Sequence, residues 1–244
     1  MIPYYVIYLG DGFPNRQSLL DIGVDPIGFK GIDARKDEHL SYTDNINPMC
    51  KHFCPKGKIG CALSHVLLAQ QLYDSGVDVA IIMEDDAYPI FLDLNEEIEN
   101  VLSYIPNDWE IIKLHSDMYC KYNSIYIDNT YSSGAYIINR NGMNKLRKIK
   151  VSQHIDELMT THAIKTYKSK YNLFKMDESS SLLRDAGNVH WLAGFVPRPT
   201  CGEKTEKDIF SNKILRLGNT EFSTGNVIDI SVFLVVLFIL LFAF

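Results

Sequence analysis

The feature of this sequence that most constrains its fold is an apolar run that ends on three consecutive carboxylates. Residues 77–89 read VDVAIIMEDDAYP, so the run over 79–83 leads directly into Glu84, Asp85 and Asp86. A short apolar run that is rich in β-branched residues and bounded by turn formers predicts a strand buried on both faces. In open α/β sheets, ligands bind beyond the carboxyl ends of the strands. The three acids are therefore expected where a ligand would bind.

Three neighbouring carboxylates need compensation. Two unit charges about 5 Å apart repel by roughly 3 kcal/mol at an effective dielectric constant of about 20. The repulsion is relieved if one acid is protonated, if one turns to solvent, or if a cation lies among them. Oxygen ligands of this kind suit Mg²⁺ or Mn²⁺, and these ions in turn suit a diphosphate. The alternative interpretation is a strand that ends in an acidic, solvated turn.

Strand-like and helix-like segments alternate along most of the chain. Strands are predicted over residues 4–9, 26–32, 79–83, 108–115, 132–139, 172–176 and 190–196, and helices over 17–22, 58–73, 93–104, 142–149 and 155–167. The polar stretch 39–58 is predicted to be a long loop that serves as a lid or is mobile. This order predicts an α/β fold, doubly wound, with a mainly parallel sheet and helices on both faces.

Length and charge limit the remaining possibilities. The 244 residues fit one α/β domain over residues 1–220, followed by a hydrophobic tail over 227–244. The net charge of −6 and the absence of a long basic run argue against a nucleic-acid partner. The five cysteines are irregularly spaced, which argues against a full disulfide framework. Cys50 and Cys54 flank His52, but the sequence offers no second pair of zinc ligands at a suitable spacing.

The C-terminal tail is the most apolar segment. Residues 230–244 carry no charge and would reach about 22 Å as a helix, or about 27 Å with residues 227–229, against a hydrocarbon core of about 30 Å. We expect this tail to anchor the protein to a membrane; the alternative is a buried helix or strand packed on the domain. Basic residues upstream of the tail favour a cytosolic position for the domain. The N-terminal sequence does not have the pattern of a secretory signal peptide.

Four sequence blocks carry a resemblance to a known family. The chain has G-x-x-G-C-x-x-S-H at residues 57–65, M-E-D-D at 83–86, and S-G-A-Y at 133–136 followed by Gly142, Lys145 and Leu146. The first strand with Arg16 and the turn around Asp33 form the fourth block. Together these blocks resemble glycosyltransferase family 25, which includes lipooligosaccharide galactosyltransferases and collagen β-galactosyltransferases.

The resemblance implies a GT-A fold, a nucleotide-sugar donor and an inverting transfer that needs Mn²⁺ or Mg²⁺. The expected partners are UDP-galactose or UDP-glucose as donor, and a glycan, lipooligosaccharide or protein hydroxyl as acceptor. The rival hypothesis is a catalytically inactive relative that serves as a membrane-tethered binding module. A phosphoryl transferase is disfavoured because the chain has no G-x-x-x-x-G-K-[ST] loop.

The acids after the strand are the predicted cation and donor ligands. Asp86 is the expected principal metal ligand, and Glu84 or Asp85 would hold the metal or the donor ribose. His190 is a further candidate metal ligand; its alternative is an ordinary core or surface histidine.

Other residues are predicted to handle the proton and the donor. Asp156 is the expected general base, ahead of Glu157 and then His154, although Asp156 is also a typical helix-capping residue. Ser64 and His65 lie near a helix start that favours phosphate, although His65 is equally consistent with a core residue. The remaining predicted donor-binding residues are Arg16, Asp33 and Tyr136; for Tyr136 the alternative is a strand aromatic.

Overall fold

The computed structural model describes residues 2–116, 132–161, 164–177, 213–217 and 220–223. Within these ranges the strands are β1 (Tyr4–Tyr8), β2 (Ile27–Lys30), β3 (Val79–Glu84), β4 (Ala87–Pro89), β5 (Ile111–Lys113), β6 (Ala135–Asn139), β7 (Thr166–Lys168), β8 (Phe174–Met176), β9 (Lys213–Leu217) and β10 (Thr220–Ser223). The helices are α1 (Arg16–Leu20), α2 (Pro48–Phe53), α3 (Lys56–Asp74), α4 (Leu94–Tyr104), α5 (Arg140–Leu146) and α6 (Ile155–Thr161), with 3-10 turns at Ala34–Lys36 and Glu38–Asn45.

Six strands form the central sheet, in the order β2-β1-β3-β6-β5-β7. The pairs β1/β2, β1/β3 and β5/β7 are parallel, whereas β6 runs antiparallel to both of its neighbours. The prediction of a mainly parallel sheet is therefore confirmed, with one reversed strand. Two small antiparallel pairs, β4/β8 and β9/β10, lie outside this sheet.

Helices cover both faces of the sheet, as the sequence predicted. Strand β3 shows why, since its four central side chains, from Ala80 to Met83, are all fully buried. Ala80 and Ile82 pack in the cluster that contains the apolar residues of α3, α5 and α6. Ile81 and Met83 pack in the cluster with Leu19 of α1 and the apolar face of α4. Successive strand residues point to opposite faces, so a continuous apolar run is what a sheet between two helical layers requires.

Helix α3 is the longest described element and leads into β3. Its 19 residues span about 28 Å at 1.5 Å per residue. The helix ends before Gly76, whose φ of +77° is readily adopted only by glycine. The prediction of a helix over 58–73 is confirmed. Because α3 returns the chain to the start of β3, the first turns of α3 lie near the carboxyl end of that strand.

Two sequence predictions are wrong. The stretch 39–58 is not a long loop, because it contains a 3-10 segment, α2 and the start of α3. Asn47 accepts a hydrogen bond from the Met49 N–H and Pro48 follows it, which together start α2. This segment also carries a disulfide between Cys50 and Cys54.

The second wrong prediction concerns the helix over 155–167. Helix α6 ends at Thr161, and residues 166–168 form β7, which pairs in parallel with β5. Sheet pairing thus determines the conformation of this β-branched and aromatic stretch.

Several predicted features lie outside the described residues. They are the loop over 117–131, the strand over 190–196 and the tail over 227–244. Within the part of the chain that the structure describes, no helix has both the length and the apolar character needed to cross a membrane.

Candidate functional site

A cavity of about 220 Å³ opens at the carboxyl ends of β1, β2 and β3. Its walls are the end of β1 (residues 7–9), the turn after β2 (residues 32–35), the first turns of α3 and the acids at 84–86. Strand β1 lies between β2 and β3, so consecutive parallel connections leave it in opposite directions. This is the switch point at which open α/β sheets bind ligands. The structure therefore has a cavity at the acidic strand end, where a ligand was expected to bind.

The acids in this wall are crowded and partly removed from water. Burial, with the neighbouring charges of Glu84 and Asp85, raises the pKa of Asp86 to about 7. Burial also raises the pKa of Asp85, whose carboxylate is hydrogen bonded by the Leu9 backbone N–H. Among the described residues, the buried Oδ1 of Asp86 has no hydrogen-bond partner. A divalent cation would both supply that partner and relieve the repulsion, so the donor set fits Mn²⁺ or Mg²⁺.

Asn15 holds the acidic turn in place. Its Nδ2 donates to the Glu84 carbonyl oxygen at 3.1 Å and to the Ala87 carbonyl oxygen at 2.7 Å, which ties together the two ends of the turn. The residue is completely buried. Asn15 was not predicted as a site residue, because an asparagine just before a short helix is equally typical of a cap.

Glu84 is the centre of a buried polar network. Its Oε1 accepts a hydrogen bond from Ser133 Oγ at 2.9 Å and lies 3.3 Å from His65 Nε2. The other imidazole nitrogen, Nδ1, lies 2.8 Å from the Tyr136 hydroxyl. Burial opposes ionisation of Glu84, but the contacts with His65 and Ser133 outweigh it and hold the pKa of Glu84 below its usual value. His65 and Glu84 line the cavity, whereas Tyr136 is fully buried and supports His65.

Cys61 lies on the same wall, one helical turn before His65. Its Sγ is 4.0 Å from Glu84 Oε1, and it is a free thiol. Burial, together with the surrounding carboxylates, raises the pKa of Cys61 well above its usual value. The thiol is therefore neutral in the cation-free protein.

Ser64 joins α3 to the turn after β2. Its Oγ accepts from the Ile32 N–H at 2.8 Å and donates to the Gly60 carbonyl oxygen at 2.7 Å. Gly60 permits this contact, since a Cβ there would lie 2.4 Å from the Ile32 carbonyl oxygen. Ser64 lines the cavity, but its hydroxyl is used to position the wall, and its role in donor binding stays a prediction.

Asp33 brings a guanidinium to the cavity. Its carboxylate accepts from Arg35 Nε at 2.8 Å and from Arg35 Nη2 at 2.9 Å, and these hydrogen bonds lower the pKa of Asp33. The Asp33 side chain is buried, whereas that of Arg35 is 43% exposed, and both residues line the cavity. Asp33 was predicted as a donor-binding residue and Arg35 was not, although the D-x-R spacing is present in the sequence.

Asp156 and His154 form a second polar pair. His154 Nδ1 lies 3.1 Å from Asp156 Oδ2. Burial opposes the charge of each partner, but their mutual attraction outweighs it, so the pKa of Asp156 is lowered and that of His154 is raised. The charge of His154 also acts on Glu84, and that of Asp156 acts on Cys61. The pair therefore interacts electrostatically with the acidic wall, although neither residue is among those that line the cavity.

Three predicted residues have other placements. Glu157 Oε2 accepts from the His154 backbone N–H at 3.2 Å, which caps the start of α6. Arg16 is exposed, lies 4.0 Å from Asp25, and is not part of the cavity wall. His190 lies outside the described residues.

Comparison with known proteins gives one family. A family model described as glycosyltransferase family 25 (LPS biosynthesis protein) matches residues 17–163, more than half of the chain. No curated protein sequence matches significantly.

Among solved structures, a glycosyltransferase involved in glycosylation of the major capsid of PBCV-1 is 8% identical, with a TM-score of 0.43 over 73% of this chain and 94% of that one. The protein A197 from STIV is 15% identical, with a TM-score of 0.39 over 72% and 84% of the two chains. A mutant of Drosophila β-1,4-galactosyltransferase 7, solved with manganese, UDP-Gal and xylobiose, is 11% identical, with a TM-score of 0.35 over 89% and 83%.

Proposed function

Because the chain belongs to glycosyltransferase family 25, we propose that it transfers galactose or glucose from a UDP-sugar to a hydroxyl group. The acceptor is a glycan, a lipooligosaccharide or a protein, and the transfer inverts the anomeric carbon in a GT-A-like domain. The observation that carries this proposal is the cavity at the β1/β3 switch point, which has Asp85 and Asp86 on one wall and Arg35 on another.

Asp86 is the proposed principal ligand of Mn²⁺ or Mg²⁺, with Glu84 or Asp85 as its partner. The raised pKa of Asp86 supports this assignment, as does its Oδ1, which has no hydrogen-bond partner in the part of the chain that the structure describes. When bound, such a cation supplies neutralisation of the diphosphate leaving group.

Arg35 is the proposed protein contact for the donor phosphates. Its guanidinium is fixed by two hydrogen bonds to Asp33 and is still 43% exposed at the cavity. A guanidinium is a strong partner for phosphate oxygens because its donors are planar and permanently charged. In this scheme Asp33 acts by orienting Arg35.

The proposed base is Asp156, whose lowered pKa keeps its carboxylate ionised near neutral pH. The acceptor hydroxyl loses its proton to this carboxylate, while its oxygen forms a bond to the anomeric carbon. The bond from that carbon to the phosphate oxygen breaks, and UDP leaves with the electron pair. His154 Nδ1, which lies 3.1 Å from Asp156 Oδ2, orients the carboxylate.

The decisive experiment is measurement of UDP release and sugar transfer from UDP-galactose and UDP-glucose, with and without Mn²⁺. We expect Mn²⁺-dependent turnover by the wild type and loss of turnover in Asp86→Asn. The control is Asp78→Asn, which changes an exposed acid directly before β3 and should show normal turnover. Donor binding without any turnover would instead indicate a catalytically inactive binding module.

We also infer that residues 1–220 form the transferase domain and that residues 227–244 tether it to a membrane, with the domain on the cytosolic side. The uncharged, apolar run over residues 230–244 supports this inference. Membrane association that resists carbonate extraction in the full chain should be lost when the chain is cut before residue 227. Unchanged partitioning of the truncated protein would refute the tether.

A further inference from the structure

Three side chains of different chemistry converge at the inner end of the cavity. The thiol of Cys61, the imidazole of His65 and the carboxylate of Glu84 each present one possible ligand atom, and these atoms all lie within 4.8 Å of one another. We propose that Cys61, His65 and Glu84 form a binding site for Zn²⁺, next to the site proposed for Mn²⁺ or Mg²⁺, and that zinc bound there inhibits the transferase. Zinc binding at this site does not depend on the proposed transferase function; only the proposed inhibition rests on that function.

The backbone arrangement brings the three ligand residues to one place. Cys61 and His65 are four residues apart on α3, so they share one face of the helix on successive turns. Glu84 is the last residue of β3 and faces that side of α3. His65 is almost fully buried, and the Glu84 side chain is only 23% exposed.

The spacing of the ligand atoms is close to that around a tetrahedral ion. The separation between His65 Nε2 and Glu84 Oε1 is 3.3 Å, and that between Cys61 Sγ and Glu84 Oε1 is 4.0 Å. Both are long for charge-assisted hydrogen bonds, which measure about 2.7–2.9 Å. Ligand atoms around tetrahedral Zn²⁺ lie roughly 3.4–3.6 Å apart, given Zn–S bonds of about 2.3 Å and Zn–N and Zn–O bonds of about 2.0–2.2 Å. Small side-chain movements would therefore close the site.

The surrounding residues provide the support that metal ligands usually have. The Tyr136 hydroxyl lies 2.8 Å from His65 Nδ1, and it can hold the imidazole with Nε2 directed at the ion. Ser133 Oγ donates to Glu84 at 2.9 Å. Outer contacts of this kind fix the orientation of metal-binding histidines and carboxylates.

The ligand chemistry separates this site from the carboxylate site. Thiolate and imidazole ligands favour Zn²⁺, whereas Mg²⁺ and Mn²⁺ prefer oxygen ligands such as those of Asp85 and Asp86. Three protein ligands leave one coordination position open toward the cavity. Zinc at this site would engage Glu84 and place a cation where the donor must bind, which is why we expect inhibition.

Cobalt(II) is the probe, because it binds at zinc sites and its absorption spectrum reports both thiolate ligation and the coordination geometry of the ion. We expect titration of the full-length protein with Co²⁺, without Mn²⁺ or nucleotide, to produce a thiolate-to-cobalt charge-transfer band and the strong visible bands of tetrahedral Co²⁺. Both sets of bands should saturate at one equivalent of Co²⁺. Addition of Zn²⁺ should abolish these bands, and addition of Mg²⁺ should leave them unchanged. Cys61→Ser should lose the charge-transfer band, while the control Cys120→Ser/Cys201→Ser should keep it. Cys50 and Cys54 form a disulfide and contribute no free thiol.

A second variant distinguishes loss of the metal ligand from misfolding of the protein. Tyr136→Phe leaves all three ligands in place, so it should retain the charge-transfer band but bind Co²⁺ about 10- to 100-fold more weakly. The absence of the band in the wild type, or its persistence in Cys61→Ser with native circular dichroism, would overturn the proposed site. These spectra need no sugar donor, so their outcome is independent of whether the chain is a transferase. The inhibition is tested separately, as a fall in Mn²⁺-dependent turnover on addition of Zn²⁺; turnover that zinc leaves unchanged would refute it.

Discussion

The crowded carboxyl of Asp86 should make the cation-free protein less stable as the pH rises. The pKa of this group is 3.8 in an ordinary environment and about 7 in the folded protein. Between these values the folded chain binds a proton that the unfolded chain has lost, so the free energy of unfolding falls with increasing pH. The stabilising contribution is complete below about pH 4 and is lost above about pH 7. Replacement by asparagine removes this dependence.

The size of this change in the free energy of unfolding follows from the pKa shift of Asp86. At about 1.4 kcal/mol for each pH unit, the full difference corresponds to roughly 4 kcal/mol. Solvent reaches part of the Asp86 side chain and screens the repulsion, so we expect about 1–2 kcal/mol. Asp86→Asn should therefore gain about that much stability relative to the wild type between pH 5 and pH 8.

The assay is urea denaturation at several pH values in the presence of a chelator. The difference between wild type and Asp86→Asn isolates this group, because the other titrating side chains are common to both proteins. Asp78→Asn, which alters an exposed acid before β3, should follow the wild type. A difference between wild type and Asp86→Asn that is constant over this pH range would refute the inference that the acids are crowded.

Three further substitutions test the cavity wall, the turn that carries its acids and the neighbouring polar pair. Gly60→Ala should destabilise the protein by about 1–3 kcal/mol in urea denaturation, because its Cβ would meet the Ile32 carbonyl oxygen at 2.4 Å; Gly12→Ala, with no atom within 4 Å, should not. Asn15→Ala should cost about 2 kcal/mol in the same assay through two lost hydrogen bonds, whereas Asn107→Ala, at an exposed position, should be neutral. Asp156→Asn should lower kcat by about 10²- to 10⁴-fold with little change in KM for the donor, and an unchanged kcat would remove the His154 pair from the reaction.

The parts of the fold that could be predicted are those with strong local patterns. Strand β3 and helix α3 were predicted to within a few residues, because an unbroken β-branched run and a regular apolar stripe are decisive signals. The short turns over Glu38–Asn45 and the strand β7 were missed. Strand β7 forms through pairing with β5, and Glu38–Asn45 is a 3-10 segment without a side-chain cap hydrogen bond, so neither gives a periodic pattern.

The position of the candidate site could be predicted from the sequence, but the residues that surround its acids could not. The acids at a strand end predicted its position, because parallel strands direct their carboxyl ends to one edge of the sheet. The partners of those acids come from distant segments, such as Asn15 below the acidic turn and Tyr136 behind His65. The reversed direction of β6, which brings Tyr136 to that place, could not be inferred, since the connection from β5 gives no signal for it.

The central claim is that Asp86 and a divalent cation together hold the diphosphate of a UDP-sugar. Calorimetric titration of the protein with UDP, with Mn²⁺ present or chelated, tests it most directly. We expect binding by the wild type only when Mn²⁺ is present, the same affinity in Asp78→Asn, and no binding in Asp86→Asn. Equal UDP affinity in wild type and Asp86→Asn, or binding that is indifferent to Mn²⁺, would contradict the claim.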